Sequence, residues 1–237
     1  MSQTRIFEPE GRAIPYVDEG AGPGVVLIPG LGLNTDYLAT LASMLVEADH
    51  RLVLVGSRRP VAGTDAAADV TVSMHDLAQD VVDVMTHIAL DDAWVGGHAF
   101  GGSVARTVAL DHTDRVNGVL LLGVETDAVV PDEVAAARDA ESADVLAFAH
   151  DADVEPLQRA ALAATPVAEW TTPAEHVPML VIQGTEDAVT PPENGERLRA
   201  QAPDRVSVVT VEGGGHLFPA THAGATGWAI EDYLDWD

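Results

Sequence analysis

The sequence predicts an α/β fold: a mainly parallel central sheet, helices on both of its faces, and a small helical cap inserted after one strand. Three observations carry that expectation. Short continuous Val/Ile/Leu runs recur along the 237 residues, separated by longer stretches of helical periodicity. Strands of a parallel sheet read in this unbroken apolar way because helices cover both sides. One interval, residues 124–178, breaks the rhythm: it is rich in Ala and acidic residues and offers no strand candidate.

In chain order, Ile14 to Val17 is expected as an antiparallel edge strand, and Gly24 to Ile28 (GVVLI) as a buried strand closed by Pro29-Gly30. Thr35 to Ala48 has helical spacing, with Leu38, Leu41, Leu45 and Val46 on one side. Arg51 to Val55 is the next strand. Ser73 to Ile88 is a helix with Leu77, Val81, Val84, Met85 and Ile88 as its inner stripe, and Ser73 suits its N-cap. Then come strand Ala93 to Gly97, helix Gly101 to Leu110 and strand Val116 to Leu122. After the interruption, strand Met179 to Gln183, a helix near Pro192 to Ala200, strand Val206 to Val211 and a last helix near His222 to Leu234 complete the series. There is no internal repeat and no linker, so residues 1–237 are expected to form one domain carrying the 124–178 insertion.

Composition removes several classes of function. The chain has 12 basic and 38 acidic side chains, a formal net charge of −26, and no Cys. Thiolate catalysis, disulfide frameworks and Cys-ligated zinc are excluded. So acidic a chain is repelled by phosphate backbones and anionic lipid, so neither nucleic acid nor membrane is the expected partner. All 12 basic residues are Arg and 23 of the 38 acids are Asp. High-GC coding favours Arg and Ala but does not by itself produce this charge. A Lys-free, Asp-heavy surface also fits a protein that stays soluble at high salt, where self-repulsion is screened over ~3 Å at 1 M. Met1 to Glu10 is polar without a basic-then-apolar pattern, and no apolar run approaches ~20 residues. A cytoplasmic location is the expectation. No metal-ligand spacing among the histidines and no phosphate loop is seen, so no cofactor or metal is expected; Gly20 to Gly24 precedes a strand and is a turn.

The chemistry concentrates in Val95 to Arg106, VGGHAFGGSVAR. A strand runs into Gly97-His98-Ala99-Phe100-Gly101 and a helix follows at once, the pattern of a G-x-S-x-G nucleophile elbow with Ala99 where the hydroxyl should be. Asp187 follows the strand Met179 to Gln183, and His216 follows the strand Val206 to Val211 after three glycines. Asp187 would orient His216 and stabilise its protonated form. The loop Pro29-Gly30-Leu31-Gly32 follows the early strand, and its Leu31 N–H, with the Phe100 N–H, would form an oxyanion hole. Pro29, Gly30 and His98 are expected around a pocket for a small-molecule substrate. Phe148 and Trp170 are candidate lid residues, set against the plainer expectation that they pack the cap onto the core.

The order of elbow, acid and histidine, over about residues 12 to 236, resembles the α/β-hydrolase fold superfamily. The resemblance implies hydrolysis of a small ester, lactone or related carbonyl compound. Three departures fall on the site. Pro29 replaces the usual His of the early loop, Gly56-Ser57-Arg58-Arg59 replaces the usual Asp-x-x-Gly, and Ala99 replaces the elbow serine. Ala99 leaves three readings open: a serine replaced by alanine, a natural Ala with the His216–Asp187 pair kept as a base for water or for proton abstraction, or a binding protein that has lost turnover. Ser103 and Ser57 are weak candidates to replace the hydroxyl, Ser103 being expected to face neighbouring structure and Ser57 to line the pocket.

Overall fold

The computed structural model describes residues 3–60, 71–128, 131, 133–134, 136 and 143–235. Of the expected cap, residues 129–130, 132, 135 and 137–142 lie outside these residues. The sheet runs β1 (Arg5–Phe7), β2 (Arg12–Glu19), β4 (Arg51–Val55), β3 (Gly24–Ile28), β6 (Ala93–His98), β7 (Val116–Leu122), β8 (Met179–Gly184), β9 (Val206–Val211). From β4 to β9 every pairing is parallel; β1 and β2 are antiparallel to their neighbours, and β5 (Arg59–Pro60) pairs with β2 off the main path.

Ile14 to Val17 therefore lies inside β2, one strand in from the expected edge. The true edge, β1, is three half-exposed residues, too short to show a period. β5 is shorter still.

The apolar runs form buried strands because alternate side chains enter two different cores. In β3, Val26 and Ile28 face one layer and Val25 and Leu27 the other, and all five residues are buried. β8 divides in the same way, Met179 and Val181 against Leu180 and Ile182. The helices are α1 (Ala39–Glu47), α2 (Met74–His87), α3 (Phe100–Asp111), α4 (Ala143–Ala149), α5 (Glu155–Ala164), α6 (Ala168–Thr171), α7 (Pro192–Gln201), α8 (Phe218–Thr221) and α9 (Ala223–Leu234). One core receives α2, α3, α5, α6 and α7; the other receives α1, α4, α8 and α9.

Ser73 caps α2 as its sequence suggests: its hydroxyl accepts the Asp76 N–H at 3.2 Å and the Asp76 carboxylate accepts the Ser73 N–H at 2.8 Å. The expected last helix, near His222 to Leu234, is α9, and the short α8 precedes it, ending at His222. Between β7 and β8 the described residues form α4 to α6, whose ends lie over the loops that follow β3 and β4. Among the described residues, no helix is long and apolar enough to cross a membrane.

Candidate active site

The elbow is built by close approach. A Cβ on Gly97 would lie 2.5 Å from the Gly101 carbonyl carbon, and one on Gly101 would lie 2.1 Å from the Ile28 oxygen. Only glycine lets β6, α3 and the end of β3 meet at this distance. Between them Ala99 is held at φ 45°, ψ −104°, a conformation that costs about 1–3 kcal/mol for a residue with a Cβ. Hydrogen bonds on both sides fix it: the Ala99 N–H donates to the Leu122 oxygen at 3.0 Å and the Ala99 carbonyl accepts from Ser103 N–H at 3.0 Å. The strained turn exists although its side chain is a methyl.

Asp187 and His216 come together from the loops after β8 and β9. His216 Nδ1 lies 3.2 and 3.1 Å from the two Asp187 carboxylate oxygens. Asp187 is 2% exposed, and its oxygens also accept the N–H groups of Val189 and Thr190, each at 2.8 Å, and the Thr190 hydroxyl at 2.5 Å. Burial alone would raise its pKa. The His216 hydrogen bond and charge, with the Thr190 donors, outweigh burial and hold Asp187 below the usual carboxylate range. With Nδ1 turned to Asp187, Nε2 is the ring nitrogen left to move a proton. The run Gly213-Gly214-Gly215 makes this arrangement possible: a Cβ on Gly184 would meet the Gly214 oxygen at 2.3 Å, so the two loops touch backbone to backbone.

His98 carries the pair to the elbow. It is fully buried immediately before Ala99, and its ring centroid is 4.6 Å from that of His216. Tyr37 lies on its other side at 5.3 Å and Phe218 at 6.3 Å. His98 also explains Gly30, where a Cβ would come within 2.6 Å of His98 Nδ1. Pro29 and Gly30 are buried and Leu31 is partly exposed. The Leu31 N–H and the Phe100 N–H, the latter in the first turn of α3, have no hydrogen-bond partner among the described residues.

Two expected pocket residues sit elsewhere, and a third, His98, lies beside His216 without reaching open space. Trp170 is 4% exposed and packs in the core with α3, because α6 lies directly on that helix. Phe148 is 55% exposed at the end of α4, where its carbonyl, rather than its ring, meets the early loop by accepting from Asn34 Nδ2. His98 is enclosed behind the pair and exposes no surface. A cavity of about 280 Å³ lies beside the early loop, bounded by Ile6, Pro15, Leu33, Asn34, Ser57 and Val154 among others, and not by Ala99 or His216. Ser57 lines this cavity. Ser103 is 1% exposed and donates to Glu125 at 3.0 Å, so it is tied into neighbouring structure. His222 is bonded to the Thr221 hydroxyl at 2.9 Å where α9 starts.

Two positioning residues escaped sequence reasoning. Gln183 is fully buried; its Oε1 accepts the Val124 N–H at 2.8 Å and its Nε2 donates to the oxygens of Thr190 (3.0 Å) and Pro191 (2.9 Å). It joins the end of β7 to the loop carrying Asp187. Thr190 supplies that acid with two of its donors. The signal for Gln183 was present: a lone amide closing the apolar run MLVIQ has to be hydrogen-bonded if the strand is buried.

A family model described as "alpha/beta hydrolase fold" matches residues 23–160, and one described as "TAP-like protein" matches residues 158–236. A putative carbamate hydrolase, RutD, of Variovorax paradoxus is 34% identical over 101 residues, 43% of this chain and 38% of that protein. A fluoroacetate dehalogenase of Burkholderia sp. is 28% identical over 138 residues, 56% of this chain and 44% of that protein. The chain thus spans less than half the length of the curated relatives it matches. A thermophilic esterase from Thermogutta terrifontis superposes with a TM-score of 0.79 at 19% identity, covering 99% of this chain and 98% of that one, a likeness of fold. Because the family model runs through more than half of the sequence and takes in the elbow itself, the chain belongs to the α/β-hydrolase fold family.

Proposed function

We propose that the protein is a hydrolase for small ester or lactone carbonyls in which His216 acts as general base on water. The observation that carries this reading is the buried His216–Asp187 pair, complete down to the Thr190 donors around the acid. A site that only held a ligand has no use for a carboxylate kept ionised behind an imidazole. With a methyl at position 99 and no Cys in the chain, the nucleophile available is water.

His216 Nε2 takes a proton from water as the oxygen attacks the carbonyl carbon. The resulting oxyanion is held by the Leu31 and Phe100 N–H groups, and Asp187 stabilises the imidazolium. Collapse breaks the bond to the alkoxide, which takes the proton back from His216. The 124–178 insertion serves as the cap. Two of the similar proteins are named for carbamates and esters, and both compounds have an acyl carbonyl.

The test is turnover of p-nitrophenyl acetate, p-nitrophenyl butyrate and short lactones by the chain, by His216→Ala and by Ala99→Ser. His216→Ala should lower kcat by about 10²–10⁴, and Ala99→Ser should add an acyl-enzyme burst. Activity that survives loss of His216 refutes the base. Ala99 itself favours one other reading, a ligand-binding protein; that reading stands if neither form turns over while the same compounds raise the melting temperature.

A further inference from the structure

The insertion grips the loop expected to hold the oxyanion. Gly32, at φ 66°, has both sides of its backbone bonded to the insertion. Its N–H donates to Gln158 Oε1 at 2.7 Å, and its carbonyl accepts the Asp151 N–H at 2.7 Å. Two residues on, the Asn34 N–H donates to the Ala149 oxygen at 2.9 Å and Leu33 pairs with His150 in an isolated antiparallel bridge.

Gln158 is the unusual member of this set. It is 1% exposed on the inward side of α5, with Ala161 one turn on. A buried amide there is expensive unless both ends are used. Both are: Oε1 holds the Gly32 N–H, and Nε2 donates to the Ser57 hydroxyl, also at 2.7 Å, in the loop after β4. One side chain of the insertion thus ties together the two loops that follow β3 and β4. The start of α5 also lies close to this glycine, since a Cβ on Gly32 would lie 3.0 Å from Glu155 Oε2.

We infer that Gln158 is a positioning residue of the oxyanion hole: by holding the Leu31–Gly32 peptide through its N–H, it sets the direction of the neighbouring Leu31 N–H. The peptide that carries the Gly32 N–H joins it to Leu31, so rotation of that plane changes ψ of Leu31 and with it the course of the loop. A donor aimed at the developing charge acts only when its direction is fixed beforehand. The insertion and the catalytic loop are then coupled. A change at α5 that withdraws Gln158 slackens the oxyanion hole without touching His216 or Asp187.

This inference rests on the hydrolase reading above for its kinetic consequence, and on the hydrogen bonds alone for its structural one. The experiment therefore has two arms on the full chain, with Gln158→Leu and with Gln158→Glu, which keeps an acceptor for Gly32 and can accept from Ser57. In the first arm, hydrogen exchange is followed in peptides spanning residues 30–34. Gln158→Leu should speed exchange there at least tenfold while the peptide containing residues 183–190 is unchanged, and Gln158→Glu should restore protection. In the second, p-nitrophenyl acetate hydrolysis is measured well below the melting temperature. Gln158→Leu should lower kcat by about 10-fold to 10²-fold, short of the 10²–10³ for outright loss of an oxyanion donor, with KM changed less than threefold and Gln158→Glu recovering most of the loss. Unchanged exchange at 30–34 overturns the inference whether or not any ester turns over. Faster exchange with kcat intact also overturns it, because the grip would then be structural only. If His216→Ala is as active as the parent, the base reading fails while the exchange arm still decides the grip.

Discussion

Glu125 gives the most quantitative test of the electrostatics beside the elbow. It follows β7, and its carboxyl group accepts the Ser103 hydroxyl at 3.0 Å, with Arg106 of α3 and Arg159 of α5 as the nearby positive charges. Burial dominates: it pushes Glu125 from 4.5 up to about 7, against the lowering effects of Ser103, Arg106 and Arg159. Burial likewise depresses Arg106 to about 10 despite the attraction of Glu125. A carboxyl that titrates higher in the folded chain binds protons more tightly there, so its contribution to stability falls as pH rises from 4.5 to about 7 and is flat outside that window. Near the sequence pI of about 4.3 solubility is poorest, so the measurement starts at pH 5.5. From there to pH 8 the folded chain gives up about 2 kcal/mol at ~1.4 kcal/mol per pH unit. Part of the Glu125 side chain reaches the surface, which makes about 1–2 kcal/mol the working range after screening. The assay is urea unfolding of the chain and of Glu125→Gln at pH 5.5 and pH 8. Every other titration cancels in the comparison, so the variant should gain that amount over the parent between the two values. Parallel stability curves would show that Glu125 is ionised at pH 5.5 and would refute the account.

Tyr37 is 2% exposed and its hydroxyl has no hydrogen-bond partner among the described residues, so Tyr37→Phe removes an unsatisfied polar group. A calorimetric scan should show the melting temperature unchanged or higher by about 2–4 °C, the size of ~1 kcal/mol in a chain this long; a fall beyond 2 °C contradicts it. Gly101→Ala should do the opposite, because its Cβ would sit 2.1 Å from the Ile28 oxygen. A melting temperature within 5 °C of the parent would mean that β3 and the elbow are not in contact. With 38 acids against 12 arginines, the chain should melt several degrees higher in about 2 M KCl than at low salt, since screening at ~3 Å relieves its self-repulsion; no gain in a salt series removes the high-salt reading.

What could be read from the sequence follows physical rules. The strands β3, β7 and β8 were legible because both faces are buried along nearly all of their length, which leaves apolar runs interrupted only by Asn117 and Gln183. β1 and β5 were not, since two or three residues carry no period. The elbow was legible because backbone contact leaves glycine as the residue that fits at 97 and 101, and spacing alone then marks position 99. Asp187 and His216 could be placed by their positions after strands. The residues that hold the site could not: Gln158 acts on Gly32 across 126 positions and Gln183 on Val124 across 59, and a Gln in a helix or at a strand end does not name its partner. Trp170 stood between a lid role and packing onto the core, and it packs. Trp170 has the composition of a pocket residue, but α6 rests on α3 and buries it.

Two features of the site bear unequally on whether it turns over substrate. The strain at Ala99 survives without a nucleophile because packing enforces it: Gly97 meets Gly101, and Leu122 and Ser103 bond the backbone on either side. It persists as long as the sheet does and says little about use. Asp187 is different. A carboxylate 2% exposed is costly to bury unless it is paired and hydrogen-bonded. Here it is held below its usual pKa by His216 and the Thr190 donors. It therefore stays ionised through neutral pH, and its contribution to stability is lost only as pH falls through that lowered value. An ionised acid turned to one nitrogen of a histidine favours the proton on that side and leaves the other nitrogen free to accept one. The pair around His216, rather than the shape of the elbow, is the reason to assign base chemistry to a chain with alanine at position 99.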